Sequence, residues 1–367
     1  MKVLILSNYA NGLYLFRKEL LCALLEKGYE VLVSVPQDEN CVKIENLGCR
    51  LIPVKLERRG NNPIRDYALF KTYRKLLDKE RPAVVLTYTI KPNLYGGLAC
   101  RMKATPYLVN ITGLGTALEN PGMLGRILLH FYKISTKRAN CVFFQNDGNR
   151  QFMQERGIAT ENSRLLPGSG VNLKEHPAAP YPTEDKGIIF LAVLRIMKDK
   201  GIEEYLAAAE RIKREYPDTH FYLVGEYEEE TRELYEPLIL KLSDMGIIRY
   251  FGHIDNVPKV MAESHVIVHP SYHEGLSNVL LEAAAAARPV LASDIPGCRE
   301  TLMPGLSGIL FQPKDTESLV QAIKTILSYS ETDRREMGQQ GREYVEAVFD
   351  RKKVTAAYLE EISKILS

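Results

Sequence analysis

The sequence predicts an α/β protein built from two doubly wound parallel-sheet domains, and three observations carry that prediction. Short apolar, β-branched runs alternate with helical patterns along most of the chain, the order that a parallel sheet with crossover helices requires. The strand candidates are near-continuous apolar runs, as expected of strands covered on both faces. One stretch without periodicity, Pro167 to Gly187 (PGSGVNLKEHPAAPYPTEDKG), breaks the rhythm, which then restarts. A chain of 367 residues is too long for one ordinary core and suits two domains, with that Pro- and Gly-rich stretch as the linker.

The first domain opens with the strand KVLILS, followed by a helix from about Tyr14 to Lys27 with Leu15, Leu20, Leu21, Leu24 and Leu25 on one face. YEVLVSV and CRLIPV are strands. Pro63 opens a long helix that ends near Glu80, before Pro82. AVVLTY and PYLVNI are strands, Met123 to Lys137 a helix, NCVFFQN a strand and Asp147 to Gly157 a short helix. In the second domain GIIFLAVL is a strand, Gly201 to Tyr216 a helix and THFYLVGE a strand. A helix from about Glu228 to Met245 precedes IIRYFG. HVIVHPS and PVLASD flank a helix that includes Ala283 to Ala287, small residues suited to close packing on a sheet. Helices finish the chain.

Composition excludes several classes. Hydrophobic residues make up 45% and charged residues 26%, ordinary for a soluble globular protein. No apolar run reaches the length of a membrane span, and the opening MKVLILSNYANG reads as a strand and not as a signal peptide. Six cysteines, at 22, 41, 49, 100, 141 and 298, form no CxxC pair, which argues for reduced thiols in a cytoplasmic protein. The net charge of +2 hides an asymmetry: residues 1–172 carry 25 basic and 14 acidic side chains, residues 173–367 carry 23 and 32. Such a division fits two domains with different partners, and equally a surface charged for solubility.

The stretch HEGLSNVLLEAAAAARPVLAS carries the chemistry. Glu274 falls just past the carboxyl end of a predicted strand, where open α/β sheets bind ligands. Gly275, Leu276, Ser277 and Asn278 then turn into a helix whose first free N–H groups form an anion site. A second carboxylate, Glu282, follows inside an otherwise apolar helix, where it is costly unless something hydrogen-bonds to it. Donors for phosphate between two acceptors for hydroxyls describe a nucleotide-sugar site. LRIMKDKGI adds Arg195 and Lys200 at the end of this domain's first strand, two cations able to neutralise a diphosphate.

With these residues in view, the second half resembles the retaining nucleotide-sugar glycosyltransferases of family 4, which have the GT-B fold: two Rossmann-like doubly wound domains facing a cleft. The resemblance rests on EGLSNVLLE, RIMKDKG, FGHIDNVPKVM and PVLASDIPGCRETLMPGLSGILFQPKD, in the family's order. The first half resembles the subgroup that builds capsular, lipopolysaccharide and lipid-linked oligosaccharides, through RRGNNP, TIKPNLYGGLACR and ITGLGTA. By that resemblance Glu274, Arg195 and Lys200 are catalytic, Glu274 meeting hydroxyls of the donor sugar while the two cations hold the diphosphate. Glu282 would bind the ribose, and Gly275, Leu276, Ser277, Asn278 and the backbone of Ile254 would also lie near the donor. The expected reaction is transfer of a hexose or N-acetylhexosamine from a nucleotide-sugar, expected to be UDP-linked, to a polyprenyl-diphosphate-linked saccharide or similar surface-polysaccharide precursor.

The sequence departs from the family in three places. The loop after the first strand, NYANGLY, has only Gly12 where relatives have a glycine pair; Gly12 is kept as a donor-side candidate. ITGLGTA lacks the histidine relatives carry near the reacting sugar, so no first-domain acid or base is assigned. Arg288 stands where relatives often have glycine. No Asp-x-Asp occurs, and His265, His269 and His273 read as packing or supporting residues, so neither a metal nor a cofactor is implied.

A basic amphipathic helix, MLGRILLHFYKISTKR, places Leu124, Ile127, Leu128, Phe131 and Ile134 on one side. It packs in a core or lies on an anionic membrane. Arg58, Arg59, Arg65 and Lys91, with Gly113 and Gly115, are candidates for the acceptor or the membrane. The expected domains are residues 1–170 for the acceptor, 171–349 for the donor, and a helix over 350–367 returning to the first domain. The expected location is the cytoplasm, with peripheral attachment to the inner membrane face left open, and no nucleic-acid partner is expected. Two rivals are a non-catalytic nucleotide-sugar-binding subunit and a GT-B-like epimerase. An NAD-linked oxidoreductase fits poorly, because Leu118 stands where the fingerprint begun by Gly113 and Gly115 needs Gly or Ala.

Overall fold

Parallel strands cannot be joined by tight turns, so each strand in this chain is separated from the next by a crossover segment. The computed structural model describes residues 1–56, 62–114 and 122–367. Within them the chain divides into two units, residues 1–170 with 351–367, and residues 171–350.

The first unit runs β1 (Lys2–Leu6), α1 (Ala10–Glu26), β2 (Glu30–Val35), α2 (Cys41–Asn46), β3 (Arg50–Pro53), α3 (Pro63–Glu80), β4 (Val84–Tyr88), α4 (Gly97–Lys103), β5 (Tyr107–Ile111), α5 (Met123–Thr136), β6 (Cys141–Phe144), α6 (Asp147–Gln154) and β7 (Ser163–Leu165). Its strands form one parallel sheet in the order β3-β2-β1-β4-β5-β6-β7. Apolar clusters cover both faces, one built on Val3, Ile5 and Val33, the other on Leu4, Leu6 and Val85, so alternate residues of each strand feed opposite cores. Helix α1 starts at Ala10, four residues before the expected start, and takes Asn11-Gly12 into its first turn. Helix α3 begins where the sequence places it: the Asn62 side chain accepts from the N–H groups of Ile64 and Arg65, and Pro63 supplies the preset φ of a first helical residue.

The second unit runs β8 (Ile188–Val193), α7 (Ile202–Glu215), β9 (Thr219–Val224), α8 (Arg232–Asp244), β10 (Ile248–Tyr250), α9 (Val257–Ala262), β11 (Val266–His269), α10 (Asn278–Ala285), β12 (Val290–Ser293), β13 (Gly308–Phe311), α11 (Thr316–Ser328) and α12 (Glu331–Val348). Its parallel sheet has the order β10-β9-β8-β11-β12-β13. The order reverses at β8, whose neighbours are β9 and β11. A crevice opens at the carboxyl ends of strands at such a switch point.

The stretch read as a linker lies along this second unit. Arg288, fully buried, donates to the carbonyls of Ala179 at 3.1 Å and Pro180 at 2.7 Å. Arg342 donates to the His176 carbonyl at 2.9 Å, and Arg334 pairs with Glu184 at 2.5 Å. His265 accepts from the Ile189 N–H at 3.0 Å through Nδ1 and meets the Thr183 carbonyl at 3.2 Å through Nε2. Arg288 is thus the anchor of a strap, which accounts for a large buried cation at this position.

The last helix, α13 (Arg351–Leu366), belongs to the first unit. Val354, Ala357, Tyr358 and Ile362 complete the core cluster around Val3 and Ile5. Arg351 donates to the Gly170 carbonyl at 3.1 Å and pairs with Glu19 at 3.2 Å. The Tyr358 hydroxyl donates to Asn110 Oδ1 at 2.5 Å.

Candidate active site

Lys200 and Glu274 are 74 residues apart in the chain, yet Lys200 Nζ lies 2.5 Å from Glu274 Oε1. The sheet order brings them together. Lys200 follows β8 and Glu274 follows β11, neighbouring strands at the switch point. The two loops are also stitched to each other. Gly201 has φ +71, and a Cβ there would stand 2.1 Å from the Pro270 carbonyl oxygen, so only glycine fits. The Tyr272 N–H donates to the Asp199 carbonyl at 2.9 Å, and the Tyr272 hydroxyl to Glu204 at 2.6 Å.

A third loop, after β12, supports the site from behind. Gly297 has φ +85, and a Cβ on it would come within 2.8 Å of the carbonyl oxygens of Glu274 and Gly275. Its own carbonyl accepts from the Ser277 N–H at 2.8 Å. Ser277 then caps α10, its hydroxyl accepting from the Leu280 N–H at 3.4 Å. The open amide end of α10 therefore emerges beside Glu274.

His269, the last residue of β11, is buried and meets Glu274 Oε1 at 3.0 Å and the Ser277 hydroxyl at 3.1 Å through Nε2. Burial pushes the Glu274 carboxyl up, but the adjacent His269 and Lys200 outweigh it and hold Glu274 well below the usual carboxylate range. The sequence reading placed His269 among packing and supporting residues without naming what it supports; its position five residues before a site glutamate was the available signal.

The remaining candidates are placed as follows. Arg195 is more than half exposed and pairs with Glu228 at 2.5 Å, a residue in the loop after β9 that the sequence did not single out. On α10, Leu280 and Ala283 feed one apolar cluster, and Leu281, Ala284 and Ala285 feed another. Asn278, Val279 and Glu282 make up the partly exposed stripe of that helix. Leu276 is buried against Val171, Val345 and Phe349, a packing position. Ile254 packs against the cluster that holds Leu280 and Ala283. Gly12 belongs to the first unit, inside α1.

In the first unit, Arg65 and Lys91 line one pocket of about 560 Å³ together with Lys55, over an apolar floor of Val54 and Leu69. Lys91 pairs there with Asp66 at 2.8 Å. Gly113 is half-buried just past β5. Arg58, Arg59 and Gly115 lie outside the described residues. In α5 the expected apolar side is divided: Leu128 and Phe131 pack against the core, whereas Leu124 and Ile127 are exposed, as is Met123 at the helix start. A second pocket, of about 640 Å³, is lined by Arg101, His130, Lys133 and Lys137.

Two doubly wound units, one with a cation, a carboxylate and a helix amide end at its switch point, are the frame of a nucleotide-binding α/β protein. The chain belongs to the GT4-like glycosyltransferases of the GT-B fold: residues 2–146 match the family described as "Glycosyl transferase 4-like" and residues 185–329 that described as "Glycosyl transferases group 1". It is 27% identical over 343 residues to the N,N'-diacetylbacillosaminyl-diphospho-undecaprenol alpha-1,3-N-acetylgalactosaminyltransferase of Campylobacter jejuni, covering 89% of each chain. It is 24% identical over 344 residues to the capsular polysaccharide biosynthesis glycosyltransferase CapM of Staphylococcus aureus, covering 89% of this chain and 87% of that one. Among solved structures, Anabaena HepE in complex with UDP superposes with a TM-score of 0.83 at 16% identity, covering 99% of this chain and 100% of that one, a likeness of fold. No helix among the described residues is long and apolar enough to cross a membrane.

Proposed function

We propose that the protein transfers an N-acetylhexosamine or hexose, with retention, from a UDP-sugar to a polyprenyl-diphosphate-linked saccharide in the assembly of a surface polysaccharide. The observation that carries this reading is the convergence of Lys200, Glu274 and the α10 amide end at one switch point. The name of the Campylobacter relative supports the acceptor class, that of the Staphylococcus relative supports surface-polysaccharide assembly, and the UDP bound in the Anabaena structure supports the nucleotide.

In this reading Lys200, Arg195 and the first N–H groups of α10 meet the charge that grows on the leaving diphosphate. Glu274 accepts hydrogen bonds from the sugar and Glu282 from the ribose. The bond from C1 to the phosphate oxygen breaks as the acceptor oxygen bonds C1 from the same face. The acceptor's proton passes to the departing diphosphate, so neither a protein base nor a metal is required. The pocket holding Arg65 and Lys91 suits the acceptor's diphosphate, and α5 suits peripheral contact with the membrane that carries the acceptor.

The test is a thermal-shift screen of UDP, GDP and their sugars, because a ligand that binds only the folded state raises the melting temperature. Stabilisation by UDP and UDP-N-acetylgalactosamine, with slow UDP release from the latter, supports the proposal. Stabilisation by GDP compounds alone overturns the UDP assignment.

A further inference from the structure

We propose that His269 is a positioning residue: it keeps the Glu274 carboxylate in place for the donor sugar after Lys200 has turned to the diphosphate. The inference rests on the donor-site reading above.

Glu274 is held through one oxygen. Lys200 Nζ at 2.5 Å and His269 Nε2 at 3.0 Å both meet Oε1. Among the described residues, Oε2 has no hydrogen-bond partner and stays open to a ligand hydroxyl.

The two holders differ in mobility. Lys200, which also donates to the Ser271 hydroxyl at 3.3 Å, is a cation on a flexible four-carbon stem that can turn toward an arriving diphosphate carrying more charge than one carboxylate. His269 is 3% exposed and closes β11, a strand paired on both sides by β8 and β12. It cannot follow. When Lys200 leaves, a carboxylate that is 15% exposed loses its main counter-charge. A buried charge without a partner is costly and swings toward solvent. His269 supplies the bond that prevents this.

Proton placement agrees with the role. Glu274 is ionised and can only accept, so His269 Nε2 carries a proton and donates it to Oε1, with the Ser277 hydroxyl 3.1 Å away. His269 Nδ1 is buried and has no partner among the described residues. That nitrogen is a cost an apolar residue would avoid. The cost is offset by the bond to Glu274, whose proton the Ser277 hydroxyl, 3.1 Å away, can share as a second acceptor.

The test compares His269→Leu, which fills the space without a donor, with His269→Gln, whose amide nitrogen can reach the place of Nε2. Full-length protein is titrated calorimetrically with UDP and with UDP-N-acetylgalactosamine. Glu274 serves the sugar and not the nucleotide. For His269→Leu, the ratio of the UDP-sugar Kd to the UDP Kd therefore rises about tenfold or more over wild type, while UDP binding stays within about twofold. His269→Gln returns the ratio to within about threefold of wild type. A packing role alone weakens both ligands together and is not rescued by glutamine, and that result overturns the proposal. An unchanged ratio in His269→Leu, with wild type binding both ligands, also overturns it but leaves the donor reading standing. A wild type that binds neither UDP nor GDP compounds removes both.

Discussion

Glu282 escapes much of the desolvation cost its sequence context suggests, because it sits with Asn278 on the partly exposed stripe of α10, beside Val279, which packs against the cluster that holds Leu280 and Ala283. Its role is predicted to be uniform binding of the nucleoside, so Glu282→Ala raises the donor KM about tenfold and leaves kcat within about threefold. Arg195 is predicted to behave oppositely. It rests on Glu228 in this structure and meets the diphosphate as charge develops, so Arg195→Ala lowers kcat about 10- to 100-fold with little change in donor KM. Steady-state kinetics on the two variants checks the split, and equal effects on both constants would remove it. Lys200 and Glu274 were legible in the sequence because each follows a strand whose apolar run is unmistakable. The particular partner of His269, and Glu228, were not. A histidine row on a strand reads as packing or support without showing which group it meets, and the partner of Arg195 lies 33 residues away on a loop with many carboxylates to choose from.

Secondary elements were legible in proportion to their length and period. The long helices α3 and α7 and the buried strands carry clear patterns, whereas α2 and α9, six residues each, offer too few turns to show a period. Residues 171–187 show what composition cannot tell. Proline and glycine mark them as irregular, but the arginines that fix them, Arg288, Arg334 and Arg342, come from residues over 100 positions later. The strap also sets a pH dependence. His265 accepts from the Ile189 N–H, which only an unprotonated Nδ1 can do. Burial pushes the His265 pKa below its ordinary value of 6.5, opposed by the Thr183 carbonyl and Glu184 and reinforced by Arg288 and Arg334. The unfolded chain therefore takes up this proton first. The stabilising contribution is complete above about pH 6.5 and is lost as pH falls from there toward the folded value. Denaturant midpoints at about pH 8 and about pH 5.5, followed by circular dichroism, will fall less for His265→Asn than for wild type. Equal falls would show that His265 is not the titrating group.

Across the whole chain the charge asymmetry noted in the sequence has a concrete counterpart in α5, which exposes Met123, Leu124 and Ile127 and, with Lys137 just past its end, sets His130 and Lys133 around a basic pocket. The protein is predicted to co-sediment with phosphatidylglycerol vesicles at low salt and to be released as screening rises. Lys133→Glu with Lys137→Glu should weaken this about tenfold or more, since each basic group near an anionic surface contributes about 1 kcal/mol. Binding that ignores both salt and charge reversal would exclude α5 as the contact. The two-unit plan was legible from the restart of the strand rhythm, but the sequence could not show how much of the first core depends on α13. Val354, Ala357, Tyr358 and Ile362 fill a cluster otherwise made by residues 3–166. The second unit, by contrast, is one continuous segment, 171–350. The first unit's interior is thus completed by a segment synthesised only after the whole second unit, whereas the second unit draws its core from one uninterrupted stretch, so during translation the amino-terminal strands keep apolar surface uncovered the longer.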